Sequence, residues 1–184
     1  MTTEIYSRIA RLEDAEAIRT LAERTFRDTF GDANQSEDME TYVRDTLSLE
    51  QTRTELADEQ NTFFVAHEQH ARNPLGFAKL RLGSTEPCVV GAEPIELERL
   101  YVDAALIGAG VGALLMNASL EYARTSGCQT IWLGVWEHNP RAIAFYERWG
   151  FTVVGDHIFQ LGADAQKDLV MMRSLVTDSS HSAD

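Results

Sequence analysis

Apolar positions in the first third of the chain follow two different repeats. Residues 4–10 have the short alternating pattern of a strand. From Ala15 the repeat becomes helical and continues until Gly31, which predicts a first helix. The stripe that this helix would bury consists of Ala15, Ile18, Leu21, Ala22, Thr25 and Phe26, with Phe30 as a candidate seventh member. Residues 36–47 and 48–59 are more polar but keep a helical spacing, so they predict two further helices.

The rest of the chain alternates between extended and helical segments. The predicted strands are residues 62–68, 75–82, 95–102, 130–136, 151–161 and 168–175. The predicted helices are residues 110–126 and 139–149. The second and third strands, and the last two, are each predicted to form a hairpin. This order predicts an α/β fold with a mixed central sheet of about seven strands and helices on both faces.

Length and composition favour one intracellular domain. A chain of 184 residues buries one core well, and we expect a single domain over residues 1–176 with a disordered polar tail at 177–184. No apolar run reaches the roughly 18 residues of a membrane span, and the N-terminus lacks the apolar core of a secretory signal. Cys88 and Cys128 have no metal-binding or disulfide-framework spacing. We therefore expect a cytoplasmic protein with no membrane partner and no metal.

The chain is strongly acidic, with 29 acidic against 16 basic residues and a net charge of −13. Such a field repels nucleic acid, which excludes that class of partner. It weakly favours a cationic substrate, although acidity that serves only solubility is an equally simple explanation.

A glycine-rich turn, LIGAGVG at residues 106–112, precedes the helix that starts near residue 110. Gly108, Gly110 and Ala113 match the spacing of a dinucleotide-binding turn. Three observations disfavour that interpretation. The preceding strand contains charged residues, five residues (103–107) separate it from the first glycine, and only 72 residues follow Gly112. Exposed backbone amides at a helix start still predict binding of a different phosphate-containing coenzyme, and the alternative is a simple tight loop.

Two longer motifs, the first of which contains the turn, resemble those of a known family. ELERLYVDAALIGAGVGALLM (residues 96–116) and NPRAIAFYERWGF (residues 139–151) resemble the GCN5-related N-acetyltransferase (GNAT) family. The resemblance implies a sheet splayed between strands 4 and 5, which admits acetyl-CoA as cosubstrate. The implied cofactor-binding positions are Leu100, Tyr101, Val102, Ile107, Gly108, Ala109, Gly110, Val111, Gly112, Asn139 and Tyr146. Ile107 departs from the usual Gln or Arg, which implies somewhat weaker cofactor binding.

Further motifs resemble the PaiA-like polyamine acetyltransferase branch of that family. They are TFRDTFG (residues 25–31), LGVWEHNPRAIAFYERWGF (residues 133–151) and the spaced pattern from His157 to Asp168. The resemblance implies acetyl transfer to a primary amine such as spermidine or spermine, by direct attack in a ternary complex. Protein lysine, a protein N-terminus or an antibiotic are alternative acceptors, and a non-catalytic acyl-CoA sensor is an alternative class. Homodimers are common among proteins of this kind.

The chemistry requires a base for the amine and an acid for the leaving thiolate. Glu98 is the expected base, with Glu96 in reserve, and both would share a strand face with Leu100 and Val102 unless a bulge intervenes. Ion pairs with Arg99 or Arg81 are the alternative role of the two glutamates. By resemblance Tyr146 is the acid, although its helical spacing also fits a core residue.

Four further residues are candidates for contact with the amine: Phe26, Phe30, His157 and Phe159. His157 and Asp168 are positioned to pair across the last hairpin. Each of these residues also has an equally simple role in packing.

Overall fold

The computed structural model describes residues 4–31, 36–69, 71, 73–161 and 164–176. Within these ranges the strands are β1 Ile5–Ile9, β2 Asn61–Glu68, β3 Gly76–Leu82, β4 Pro94–Val102, β5 Thr130–Trp136, β6 Thr152–Leu161 and β7 Asp164–Ser174. The α-helices are α1 Ala15–Phe30, α2 Ser36–Thr46, α3 Leu49–Ala57, α4 Val111–Thr125 and α5 Pro140–Arg148. The tail predicted at residues 177–184 lies outside the described residues.

The strands form one mixed sheet in the order β1-β2-β3-β4-β5-β7-β6. Strands β1 to β4 pair antiparallel with their sequence neighbours, β4 and β5 pair parallel, and β7 lies between β5 and β6. The mixed sheet and both predicted hairpins are confirmed. The last strand begins at Asp164 rather than at residue 168, because its ladder with β6 extends to the pair Leu161 and Asp164.

Helices pack on both faces of the sheet, as the element order predicts. The stripe predicted for α1 is buried at its first six positions, whereas the candidate member Phe30 is only half-buried. With Met39 and Val43 of α2 the stripe covers one face of the sheet. Helix α4 covers the other face through Leu115, Met116 and Leu120. Burial of these apolar side chains on the two faces is the main force that holds the layers together.

The sheet splays between its two parallel strands. Only three residue pairs join β4 to β5, namely Pro94 with Thr130, Ile95 with Ile131 and Glu96 with Trp132. Both strands continue beyond these pairs, to Val102 and Trp136, without further pairing to each other. The expected splay is therefore confirmed, and it leaves backbone groups of β4 open toward the gap.

Within the described ranges, no helix combines the length and the apolar character that a membrane crossing requires.

Candidate functional site

A cavity of about 780 Å³ opens where β4 and β5 separate. Most of the residues singled out from the sequence line it: Phe26, Phe30, Glu96, Glu98, Leu100, Tyr101, Val102, Ile107, Gly108, Gly110, Gly112, Asn139, Tyr146, His157 and Phe159. Ala109 and Val111 do not. Ala109 is exposed outside the cavity, and the Val111 side chain is 1% exposed within the core beneath α4. The turn therefore contributes its glycines and its backbone, and Val111 contributes packing.

The glycine turn has the backbone geometry of an anion cradle. Gly108 and Gly110 both adopt φ +89°, and a Cβ on either would meet no atom within 4 Å, so the space above the turn is open. The first turn of α4 closes with the bond from the Leu114 N–H to the Gly110 carbonyl, 3.0 Å long. The amides of Val111, Gly112 and Ala113 therefore precede the first amide that donates within the helix, and they point out of the helix start. Such amides, with the helix dipole, favour a phosphate group.

A register shift in β4 decides which side chains face which side of the cavity. Lys79 on β3 pairs with Arg99, but the next residue, Leu80, pairs with Leu97, so Glu98 is the extra residue of a bulge. After the bulge, Leu100 and Val102 pack toward the α4 core, whereas Tyr101 packs toward the α1 face. The exception for a bulge therefore applies: the bulge reverses the alternation, so the two glutamates do not share a face with Leu100 and Val102.

Cations surround both glutamates of β4. The Lys79 ammonium lies 2.9 Å from Glu98, Arg99 lies 3.1 Å from the same carboxylate, and Arg81 lies 2.8 Å from Glu96. Glu55 of α3 completes the network, 3.1 Å from Lys79 and 2.9 Å from Arg99. These ion pairs engage the Glu98 carboxylate with two cations and the Glu96 carboxylate with one. These contacts favour the ion-pair alternative for Glu96 and Glu98.

Tyr146 lies in the wall of the cavity on a firmly capped helix. The Asn139 side chain accepts a hydrogen bond from the Ala142 N–H at 3.1 Å, and Pro140 occupies the first helical position. The Tyr146 ring packs edge-on against Phe151 at a centroid distance of 5.9 Å. Burial, reinforced by Tyr101, raises the pKa of the Tyr146 phenol, so the group stays protonated at neutral pH and can only donate its proton.

Aromatic rings form the wall at the α1 end of the cavity. Phe26 stacks on Tyr42 at 4.4 Å, Phe30 lies 5.2 Å from Trp136, and Tyr42 meets Phe159 edge-on at 5.6 Å. The sequence pointed to three of these five rings, and Tyr42 and Trp136 were not among them. Their apolar spacing resembles that of ordinary core residues, so no local signal distinguishes them.

His157 and Asp168 lie opposite each other in the β6–β7 ladder, as predicted. His157 Nε2 is 3.9 Å from Asp168 Oδ2, and Nδ1 on the other side of the ring is 3.0 Å from Glu86 Oε1. Burial raises the pKa of Asp168 to about 6, although His157 acts in the opposite direction. Asp168 also lines the cavity, and the sequence pointed to it only as a partner of His157.

Among the described residues, no group of three or more His, Cys, Asp or Glu side chains is arranged to hold a metal ion.

Comparisons with known proteins agree on one family. The model of the acetyltransferase (GNAT) family matches residues 15–151. An uncharacterized N-acetyltransferase of Lactobacillus delbrueckii subsp. lactis is 30% identical over 164 residues, which are 89% of this chain and 94% of that protein. The spermine/spermidine N(1)-acetyltransferase of Bacillus subtilis is 33% identical over 61 residues, which cover 33% of this chain and 40% of that protein.

A solved structure shares the fold over nearly the whole chain. The PaiA N-acetyltransferase of Thermoplasma acidophilum, crystallised with coenzyme A, has a TM-score of 0.74 at 22% identity and covers 93% of this chain and 99% of its own. At that identity the likeness concerns the fold.

Proposed function

Because the chain belongs to the acetyltransferase (GNAT) family, whose members transfer acetyl from acetyl-CoA, we propose that its acceptor is a small primary amine, with spermidine and spermine as the leading candidates. The observation that carries the proposal is the continuous cavity between β4 and β5. It joins a phosphate-type glycine turn at one end to an aromatic wall with a carboxylate at the other. A coenzyme and an amine can therefore meet inside one cavity, as direct transfer in a ternary complex requires.

The residues around the glycine turn fit the coenzyme. The amides from Gly108 to Gly112 would hold the pyrophosphate, and the unpaired edge of β4 at Leu100, Tyr101 and Val102 would bond its amide arm. A backbone N–H on this edge would also stabilise the oxyanion that forms during transfer. When bound, the coenzyme supplies the acetyl thioester. Tyr146 would then protonate the departing thiolate, and Asn139 would order the helix that carries Tyr146.

Three observations support a cationic amine as the acceptor. The net charge of −13 draws cations toward the protein. The rings of Phe26, Phe30 and Trp136 offer faces that attract alkylammonium groups and cover methylene chains. The similar proteins of B. subtilis and T. acidophilum carry the names of a polyamine acetyltransferase and of PaiA.

An amine panel tests this proposal. The protein is mixed with acetyl-CoA and, separately, spermidine, spermine, a diamine, a monoamine, a lysine peptide, a free peptide N-terminus and an aminoglycoside, and thiol release is followed. We expect release with spermidine or spermine at a kcat/KM above that for the two peptides. Release only with a peptide or the aminoglycoside would contradict the polyamine assignment. Calorimetric binding of acetyl-CoA without release for any amine would instead indicate a sensor.

Ile107 offers a prediction for the cofactor end of the cavity. Its side chain is 43% exposed and lines the cavity, where a longer polar group can reach a phosphate. Ile107→Gln is expected to tighten coenzyme A binding by about threefold, since one added hydrogen bond contributes roughly 0.5–1.5 kcal/mol. Calorimetry measures the dissociation constant, and Ile107→Leu serves as the control with unchanged affinity. Equal affinities for Gln and Leu would show that this position does not reach the phosphates.

A further inference from the structure

The carboxylates that line the cavity, Glu96, Glu98 and Asp168, differ in whether they pair with a lysine or an arginine. Glu96 and Glu98 are paired with Arg81, Lys79 and Arg99. Within the described part of the chain, Asp168 pairs with no lysine or arginine. Its contact to His157 is 3.9 Å long, about one ångström beyond a hydrogen bond. An oxygen of Asp168 is therefore available to a donor that enters the cavity.

Glu86 orients the imidazole of His157 from the side of the ring opposite Asp168. His157 Nδ1 lies 3.0 Å from Glu86 Oε1, and because an ionised carboxylate only accepts hydrogen bonds, Nδ1 carries a proton. The other nitrogen, Nε2, then faces Asp168 with its lone pair whenever the ring is neutral. The His157 side chain is 26% exposed, so it connects the buried carboxylate to solvent.

A glycine on the neighbouring strand makes room for this pair. A Cβ on Gly134 of β5 would lie 3.0 Å from His157 Nε2 and 3.5 Å from Asp168 Oδ2. Any larger residue would therefore displace the histidine ring. The space at Gly134, which also lines the cavity, keeps the histidine and the aspartate side by side next to the substrate volume.

Within the described ranges, the ionisable groups that interact with Asp168 come from two strands. They are His157 from β6, with Glu86 behind it, and the Tyr101 phenol from β4, whose pKa is raised by burial and further by Glu98 and Asp168. Strand β5 presents Gly134 and Trp136, which carry no charge. The pKa of about 6 for Asp168 leaves the carboxylate ionised at neutral pH and basic enough to hold a proton briefly.

We propose that Asp168 is the proton acceptor for the substrate amine, and that His157, oriented by Glu86, carries that proton to solvent. The proposal rests on the proposed transfer to a primary amine. Asp168 takes one proton from the ammonium, and the neutral nitrogen attacks the thioester carbonyl. As the C–S bond breaks, Tyr146 passes its proton to the thiolate, and the resulting phenolate takes the second proton from the nitrogen, which restores the phenol. Asp168 then returns its proton to solvent through His157, and the products are the amide, the free thiol and one proton.

The first test is the pH dependence of kcat/KM in matched variants. Asp168 accepts a proton only when it is ionised, so wild-type kcat/KM should fall as the pH drops through about 6. Asp168→Asn should lower kcat by about 100-fold and abolish this fall of kcat/KM at low pH, the acid limb of the profile. His157→Gln removes the imidazole, which lowers the pKa of Asp168, so the limb should move to higher pH. The control is Asp156→Asn, which removes an exposed carboxylate from the same hairpin and should change neither the rate nor the profile.

The second test needs no turnover. Spermidine is titrated calorimetrically into the coenzyme A complex at pH 6, in two buffers that differ in ionisation enthalpy. About half of Asp168 is protonated at that pH, so amine binding should release about half a proton from the wild type and from Asp156→Asn, and none from Asp168→Asn. Thermal unfolding of Asp168→Asn, with its coenzyme A affinity, verifies that the variant is folded.

Several outcomes would overturn the assignment. They are an acid limb that persists in Asp168→Asn, a limb that disappears in His157→Gln instead, or equal proton release in wild type and Asp168→Asn. Absence of spermidine binding to the wild type would also count against it. A third result separates the two proposals: the wild type releases no thiol with any amine, yet it releases a proton on binding spermidine and Asp168→Asn does not. In that case the proposed transfer fails while the assignment of Asp168 stands.

Discussion

Replacing Tyr146 by phenylalanine is expected to lower kcat by about 100-fold, because loss of a positioned general acid typically costs 10²–10⁴ in rate. The phenylalanine ring keeps the edge-on contact with Phe151, so the helix and the cavity wall should remain in place. The dissociation constant for coenzyme A should therefore change by less than about twofold, because the substitution removes an interaction that forms only as the thiolate leaves. Steady-state kinetics and calorimetry measure the two quantities.

The chain contains a matched control for this substitution. Tyr122 on α4 accepts one hydrogen bond of 2.8 Å from the Thr62 hydroxyl and does not line the cavity. Tyr122→Phe should leave kcat and coenzyme A affinity unchanged, although it removes the same hydroxyl. Equal kcat values for Tyr146→Phe and the wild type would assign Tyr146 to packing alone, which is the role that its helical spacing also allows.

Replacing Lys79 by methionine is expected to lower the free energy of unfolding by about 3–5 kcal/mol, the usual cost of removing one partner from a buried ion pair. The Lys79 side chain is 3% exposed and lies between Glu55 and Glu98, at 3.1 and 2.9 Å. Burial opposes the charge of Glu55, yet Arg99 and Lys79 hold its pKa below the ordinary value. Without Lys79 the two glutamates would share Arg99, so one buried negative charge would remain uncompensated.

Chemical denaturation of the variant measures this loss, and the other lysine of the chain is the control. Lys167 pairs with Glu137 at 3.1 Å on the surface, with 43% of its side chain exposed. Lys167→Met should give the same unfolding midpoint as the wild type, because an exposed ion pair contributes little. A Lys79→Met variant as stable as Lys167→Met would show that the buried network does not stabilise the fold. Such a result would also make Glu98 a candidate proton acceptor again, because its ion pair with Lys79 would then be weak.

Much of the fold could be predicted because its determinants are local. The six buried positions of α1 follow from their helical spacing, and both hairpins follow from extended runs with turn residues between them. The start of β7 could not be predicted in the same way. Residues 164–167 include three polar side chains, and they become strand only because β6 supplies hydrogen-bond partners across the ladder.

The two ends of the cavity differ in how well the sequence indicated them. At the proposed cofactor end, Gly108 and Gly110 act through backbone conformation and Asn139 through helix capping, and both depend on residues within a few positions of each other. At the acceptor end, the sequence left Glu98 open between base and ion pair. That choice depends on Lys79, which is 19 residues away, and on Glu55 of α3, which is 44 residues from its partner Arg99.

By itself, the sequence determined the order of the elements, the faces that they bury and the glycine turn, because these depend on periodicity and on backbone preferences of single residues. Only the tertiary structure decided which ionisable side chains lie together. Glu96 and Glu98 of β4 lie beside Arg81, Lys79 and Arg99, and the β6–β7 ladder puts Asp168 beside His157, where it pairs with no lysine or arginine of the described residues. The physical reason is that a pKa depends on the burial and charge around a group, and those neighbours come from strands and helices far apart in the chain.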